Sequence, residues 1–139
     1  MAEECVVVKT AVQWYGVSPI LSASPWMRQA FADLSELRQL KDNWDGYSSP
    51  AIESRVLEQA GRVLSALEVE DAPSLSISPV PGGGVQLEWQ CAGRELEIEI
   101  LPDCTLQFLA VFGGGMEEGV VPSPSIDVIR CLFEWLLEG

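Results

Sequence analysis

The sequence predicts an α+β domain: an antiparallel sheet of three or four strands, packed on one face by helices, with a hydrophobic helix at the C-terminal end. Two observations predict the layers. Apolar residues recur at helical spacing as far as Leu67, and from residue 74 they recur at every second position. Periods segregated in this way belong to helices and antiparallel strands in separate layers. A third observation predicts the last element, since Ile126 to Leu137 is polar only at Asp127, Arg130 and Glu134. A chain of 139 residues holds one ordinary core and is too short for two, so residues 1–139 read as a single domain.

The β-branched and aromatic run from Cys5 through Tyr15 predicts a strand ending near Gly16. Ser24-Pro25 reads as an N-cap and first helical position, with the serine hydroxyl expected to accept an amide of the first turn. Met27, Ala30, Phe31, Leu34, Leu37 and Leu40 then place a helix at about 25–41. Ser49-Pro50 reads as a second start, before Ile52, Val56, Leu57, Ala60, Val63, Leu64 and Leu67, and Pro73 limits that helix.

From residue 74 the alternation predicts a meander. Leu75 and Ile77 alternate with serines; Val85, Leu87 and Trp89 alternate with Gln86, Glu88 and Gln90; Leu96, Ile98 and Ile100 alternate with Glu95, Glu97 and Glu99; Leu106, Phe108, Ala110 and Phe112 continue the pattern. Strands of this kind have one dry face and one wet face. Pro81 to Gly84, Ala92-Gly93 and Pro102-Asp103 sit where the chain must reverse, and Gly113 to Gly115 reads as a flexible excursion. In the last helix, Ile126, Ile129, Leu132, Phe133, Leu136 and Leu137 cover more circumference than one sheet face readily buries, so they are the candidate assembly surface; an intramolecular core wedge is the alternative.

Charge excludes several functions. The net charge is -13, and residues 70–139 hold twelve acids against only Arg94 and Arg130. Such a field repels nucleic-acid backbones, so no direct nucleic-acid binding is expected. The chain contains no histidine, which removes imidazole zinc sites and Ser-His-Asp triads together. Cys5, Cys91, Cys104 and Cys131 form no C-x-x-C pair and are expected to be four free thiols. No segment resembles a membrane span or a signal peptide, so a cytoplasmic protein is the expectation. No catalytic, cofactor-binding or metal-binding residue is expected. The glycine runs lack the order of a phosphate loop, and no base neighbours the serines.

The sharpest local cluster is Asn43-Trp44-Asp45-Gly46-Tyr47. It predicts a structural corner between the helices, with Trp44 and Tyr47 anchored on the helix pair, Asn43 or Asp45 capping backbone amides and Gly46 at positive φ. Together with Pro50, the stretch Pro79 to Trp89 and Leu96 to Ile100, this cluster resembles a group of small, mostly uncharacterised bacterial proteins. They carry an NWDGYGA-like motif, a Pro/Gly-rich turn and an acidic β-hairpin. The resemblance spans about residues 40–108, with Ser48-Ser49 in place of the usual Gly-Ala and Gly82-Gly83 in place of Asp-Gly. It implies a compact bacterial accessory protein and no catalytic assignment.

Glu88, Glu95, Glu97 and Glu99 are the candidate acidic interface. They read first as a solvated face, next as a surface for docking to a basic protein, and last as a divalent-cation site. The function expected is a non-catalytic interaction or adaptor subunit, inhibitor- or antitoxin-like in its narrowest version. Its partner is a protein with a basic surface; self-association is open. The alternative is a small ligand-binding protein or enzyme with a pocket near Trp44, Asp45 and Tyr47.

Overall fold

Helix α1 (Pro25–Leu37) opens on a proline, whose missing N–H costs nothing at the first helical position. A computed structural model of the chain describes residues 24–67, 69, 71–122 and 125–138, so the strand expected between Cys5 and Tyr15 lies outside the described residues. Ser24 is extended, and its carbonyl accepts the amides of Met27 and Arg28. Its hydroxyl does not cap the helix as expected; it is buried without a hydrogen-bond partner. Ala30, Leu34 and Leu37 form the buried stripe. The helix stops short of residue 41 because the next amides, of Gln39 and Leu40, reach back only three residues.

Helix α2 (Ser54–Ser65) begins later than the Ser49-Pro50 signal predicts. Ser49 is engaged elsewhere: its carbonyl accepts the Asn43 amide at 2.7 Å and its hydroxyl donates to Asp45. Glu53 takes the N-cap position, without a side-chain hydrogen bond to the backbone amides of the helix. Val56, Leu57, Ala60, Val63 and Leu64 are buried along one face, and Gly61 lets the two helices approach, since a Cβ there would lie 3.3 Å from the Phe31 ring.

The sheet is a five-stranded antiparallel meander in the order β1-β2-β3-β4-β5: β1 (Ser74–Val80), β2 (Gly84–Cys91), β3 (Arg94–Ile100), β4 (Leu106–Phe112) and β5 (Gly115–Val121). This corrects the expectation of three or four strands. The sequence Gly-Met-Glu-Glu-Gly-Val-Val is poor in strand formers before Val120 and shows no alternation, and β5 is formed by its register with β4, from Leu106 opposite Val121 to Phe112 opposite Gly115. Gly119 suits that register, because it faces Phe108 and a Cβ there would come within 2.9 Å of the Phe108 ring. The Gly113-Gly114 segment is thus a tight hairpin connection.

Each reversal has its own chemistry. Ala92 and Gly93 both have positive φ, as a two-residue type I′ turn demands. Between β3 and β4, Pro102 and Asp103 precede Cys104 at φ 73, and the Asp103 carboxylate accepts both the amide and the hydroxyl of Thr105. Cys104 therefore occupies a left-handed position that glycine usually fills.

The register places the apolar alternates in rows on one face. Leu75, Trp89, Leu96 and Ala110 form one row; Ile77, Leu87, Ile98 and Phe108 form the next; Pro79, Val85, Ile100, Leu106 and Val121 form the third. Helices α1 and α2 contact this side with β1 to β3, and helix α3 (Ile126–Glu138) packs on β2 and β3. Phe133 meets the fully buried Trp89 edge to face at 5.3 Å. Ile129, Phe133 and Leu136 of α3 are therefore core residues; Ile126 and Leu132 are half-buried, and Leu137 is exposed. Most of the expected assembly surface is spent inside the molecule. Near the end of α3, Trp135 is clasped by Arg94, which donates to its carbonyl and stacks 4.9 Å from its ring, while Phe112 meets its edge.

Cys91 and Cys104 are free thiols, whereas Cys131 is disulfide-bonded, so the expectation of four free thiols fails at that position.

Four substitutions test this packing. Gly84→Ala places a Cβ 2.8 Å from the Ile100 carbonyl oxygen, a backbone atom that cannot swing away, and should cost about 1–3 kcal/mol in denaturant unfolding. Gly114→Ala, with nothing within 4 Å, should be close to neutral. For α3, Phe133→Asp should unfold the monomer by circular dichroism, whereas Leu137→Asp should keep the fold. Phe133→Asp that stays folded and changes only the mass seen by light scattering would return α3 to an assembly role.

Candidate functional site

Two places concentrate polar chemistry. The first is the loop from Asp42 to Ala51, which joins α1 to α2 and holds itself by hydrogen bonds. Asp45 accepts the amides of Tyr47 and Ser49 through Oδ1, and its Oδ2 accepts the Ser49 hydroxyl at 2.5 Å. Asn43 accepts the Ser48 amide, and Asp42 accepts the Ala51 amide. Asn43, Gly46 and Ser48 all have positive φ, a backbone sustained by this dense bonding. The same bonds hold the Asp45 carboxyl below its ordinary value, with the Ser49 hydroxyl contributing most and the Tyr47 amide next. The Ser49 hydroxyl also accepts the Gly82 amide, which ties the loop to the β1–β2 turn.

The aromatic residues of this corner do not behave as expected. Trp44 is half-buried and donates its indole N–H to the Pro50 carbonyl at 3.1 Å, so it closes the loop on itself and does not anchor the helix pair. Tyr47 is 88% exposed and anchors nothing. Backbone amides and short carboxylates build this corner, because they reach within four or five residues where a ring would need a neighbouring core. Neither the 660 Å³ groove between the helices nor a smaller 90 Å³ cavity beside it is lined by Trp44, Asp45 or Tyr47.

The second place is the sheet face opposite the helices. Three rows cross it from β1 to β5: Ser74, Gln90, Glu95, Val111, Met116; Ser76, Glu88, Glu97, Leu109, Glu118; Ser78, Gln86, Glu99, Gln107, Val120. Its composition passes from serines through glutamates to a mixed part, where Leu109, Val111, Met116 and Val120 surround Gln107 and Glu118. Glu88 lies directly opposite Glu97, a like-charge cross-strand pair that is unfavourable by itself. One carboxylate oxygen from each of Glu88, Glu95 and Glu97 lies within 4.8 Å of the others, a spacing that a divalent cation could bridge. The Glu97 carboxyl is held above its ordinary value, first by partial burial and then by the charges of Glu88, Glu95 and Glu99.

No base of the second half of the chain relieves this repulsion. Arg94 is spent on Trp135, and Arg130 donates to the Ala66 carbonyl, both on the helix side. Sequence reasoning placed the glutamates but missed the apolar part of the face, where Met116 is 65% and Val120 66% exposed beside the half-buried Leu109 and Val111. A signal was present in β4, whose Leu106 to Phe112 is apolar at both alternate sets except Gln107.

Comparison of the chain with family models, with curated proteins and with solved structures finds no match. Among the described residues, no helix is long and apolar enough to cross a membrane.

The two perturbed carboxyls predict opposite pH responses. Asp45 is depressed in the fold, so it adds stability above the ordinary aspartate value that is lost as pH falls through its lower folded value. Glu97 is raised, so its ionisation removes stability as pH climbs from the ordinary glutamate value through the raised one. Asp45→Asn should be less stable than wild type at neutral pH, with the deficit closing in acid. Glu97→Gln should be more stable at neutral pH, with the gain vanishing below the glutamate range. Urea midpoints across pH read both.

Proposed function

We propose that the protein is a non-catalytic interaction subunit whose open sheet face docks on a protein partner carrying basic residues beside an apolar patch. The carrying observation is the acidic β2–β3 stripe continuing into the half-buried Leu109 and Val111 of β4 and then the exposed Met116 and Val120 of β5, which flank Glu118. A partner guanidinium or ammonium group would relieve the Glu88–Glu97 repulsion, and apolar contact over Met116 and Val120 would supply affinity that charge alone does not. The unpaired outer edge of β5 among the described residues gives the same partner a place to add backbone hydrogen bonds.

An inhibitor- or antitoxin-like role is the narrower form of this reading, and location in the cytoplasm is part of it. Kinship with the NWDGYGA-like bacterial group belongs to the proposal as well and rests on residues 40–108 alone. The expected assembly role of α3 is reduced to Leu137 and its half-buried neighbours, so self-association is assigned to the sheet face and edge. No observation favours an enzyme at the Asn43 to Tyr47 corner.

The test compares proteins retained from a cell extract by the wild-type chain and by the double reversal Glu95→Lys/Glu99→Lys, followed by purification and kinetics of the retained partner. Association should slow as salt rises, and slow about tenfold or more in the double reversal, with unfolding midpoints little changed. Met116→Asp should speed dissociation. Salt-independent association, with wild-type kinetics in both variants, would leave the face as a merely solvated surface.

A further inference from the structure

On the helix side of the molecule, away from the open sheet face, α1 and α2 flank a groove of about 660 Å³ that the first turns of α3 border. That volume falls in the range of pockets that enclose small organic ligands. Its apolar lining comes from Phe31, Leu34, Leu57, Ala66 and Ile126. Among the described residues, Arg38, Arg62 and Arg130 line it beside the carboxylate of Glu58. The chain has only eight basic residues against twenty-one acidic ones, and Arg38 and Arg62 bring two of them to the walls of this groove. The field of the whole chain does not draw an anion in, so short-range contact is what this groove has to offer one.

Two of these arginines are oriented by hydrogen bonds. Arg62 donates Nη1 to Gln59 Oε1, and Arg130 donates Nε to the carbonyl of Ala66, both at 3.0 Å. Tethering one edge of a guanidinium sets its plane, and the planar fork matches a carboxylate. A second cavity of about 90 Å³ shares Arg62 and Ile126 with the groove, and Val63, Leu106 and Ile129 make its walls almost entirely apolar. Arg62 thus stands where a charged, open groove meets a small dry one.

We infer that this groove binds a free organic anion of the fatty-acid type, its carboxylate held at Arg62 beside Arg130 and its apolar tail seated along Leu57 and Ile126. Arg38 raises the positive potential along the groove. Charge complementarity selects an acid over an alcohol or an amine of the same tail, and the apolar lining selects a tailed acid over a small one. This site is separate from the sheet face, and either can fail without the other.

The experiment titrates the full chain with sodium decanoate below its micellar concentration, with decan-1-ol and with acetate, followed by calorimetry and by amide chemical shifts. Decanoate should bind saturably at one site, with shifts at Ile126, Leu57 and Ser65. Decan-1-ol and acetate should each bind at least about tenfold more weakly. Arg62→Gln should weaken decanoate about tenfold and leave decan-1-ol unchanged. Ser65→Trp, on the exposed groove wall, should block both, so the test does not depend on one variant folding. Arg55→Gln, an exposed arginine outside the groove, should bind as wild type. Equal affinity for decanoate and decan-1-ol, an Arg62→Gln or Ser65→Trp variant that binds decanoate like wild type, no saturation, or shifts confined to Met116 and Val120 would each overturn the inference.

Discussion

The described part of this protein depends on a sheet that its helices cover on one side only. Trp89, Leu87, Ile98 and Ile100 have no solvent exposure because three helices lie over the alternate rows that carry them. The edge-to-face pair of Trp89 and Phe133 joins the central strands to the last helix. Trp89 is held there by shape and apolar contact alone, for its indole N–H is buried with no partner. That unsatisfied donor is a standing cost of about 1–3 kcal/mol, tolerated because the ring fills the centre of the layer.

One-sided cover leaves the other face to be settled by different physics. Where helices do not reach, a side chain must be hydrated, paired across strands or covered by another molecule. The serines of β1 meet the first condition. The glutamates of β2 and β3 do so badly, since they face one another and one of them, Glu97, lies opposite Leu109. The apolar residues of β4 and β5 do not meet it at all. An energetic gradient therefore crosses the sheet, and its least satisfied part lies toward the β5 edge, which is unpaired among the described residues.

The loop from Asp42 to Ala51 links the helical layer to the end of the sheet. Ser49, nearly buried, donates to Asp45 and accepts from Gly82, so a single hydroxyl joins the interhelical corner to the β1–β2 hairpin. Arg55 and Gln59 extend the connection by donating to the carbonyls of Pro102 and Cys104. This end of the molecule is stitched by hydrogen bonds, whereas the opposite end is closed by the ring stack of Arg94, Trp135 and Phe112. The left-handed Asn43 and Ser48 are stable only inside that first network.

Local pattern by itself determined the two-layer class, the buried stripes of α1 and α2, the hairpins from β1 to β4 and the outward row of Glu95, Glu97 and Glu99. Each follows from a period or a turn residue within a few positions of the chain, where the side-chain direction is set by backbone geometry. What depends on residues far apart was decided by the tertiary structure. β5 has a sequence that does not favour a strand and becomes one through its pairing with β4. Ser49 reads as a helix cap until Gly82 and Asp45 compete for it. Tyr47 reads as an anchor although no core lies beside it. The last helix shows an apolar circumference that fits a partner or a core equally well, and only the position of Trp89 beneath Phe133 places it in the core. Periodicity records which face of an element is dry, but it does not record what dries it.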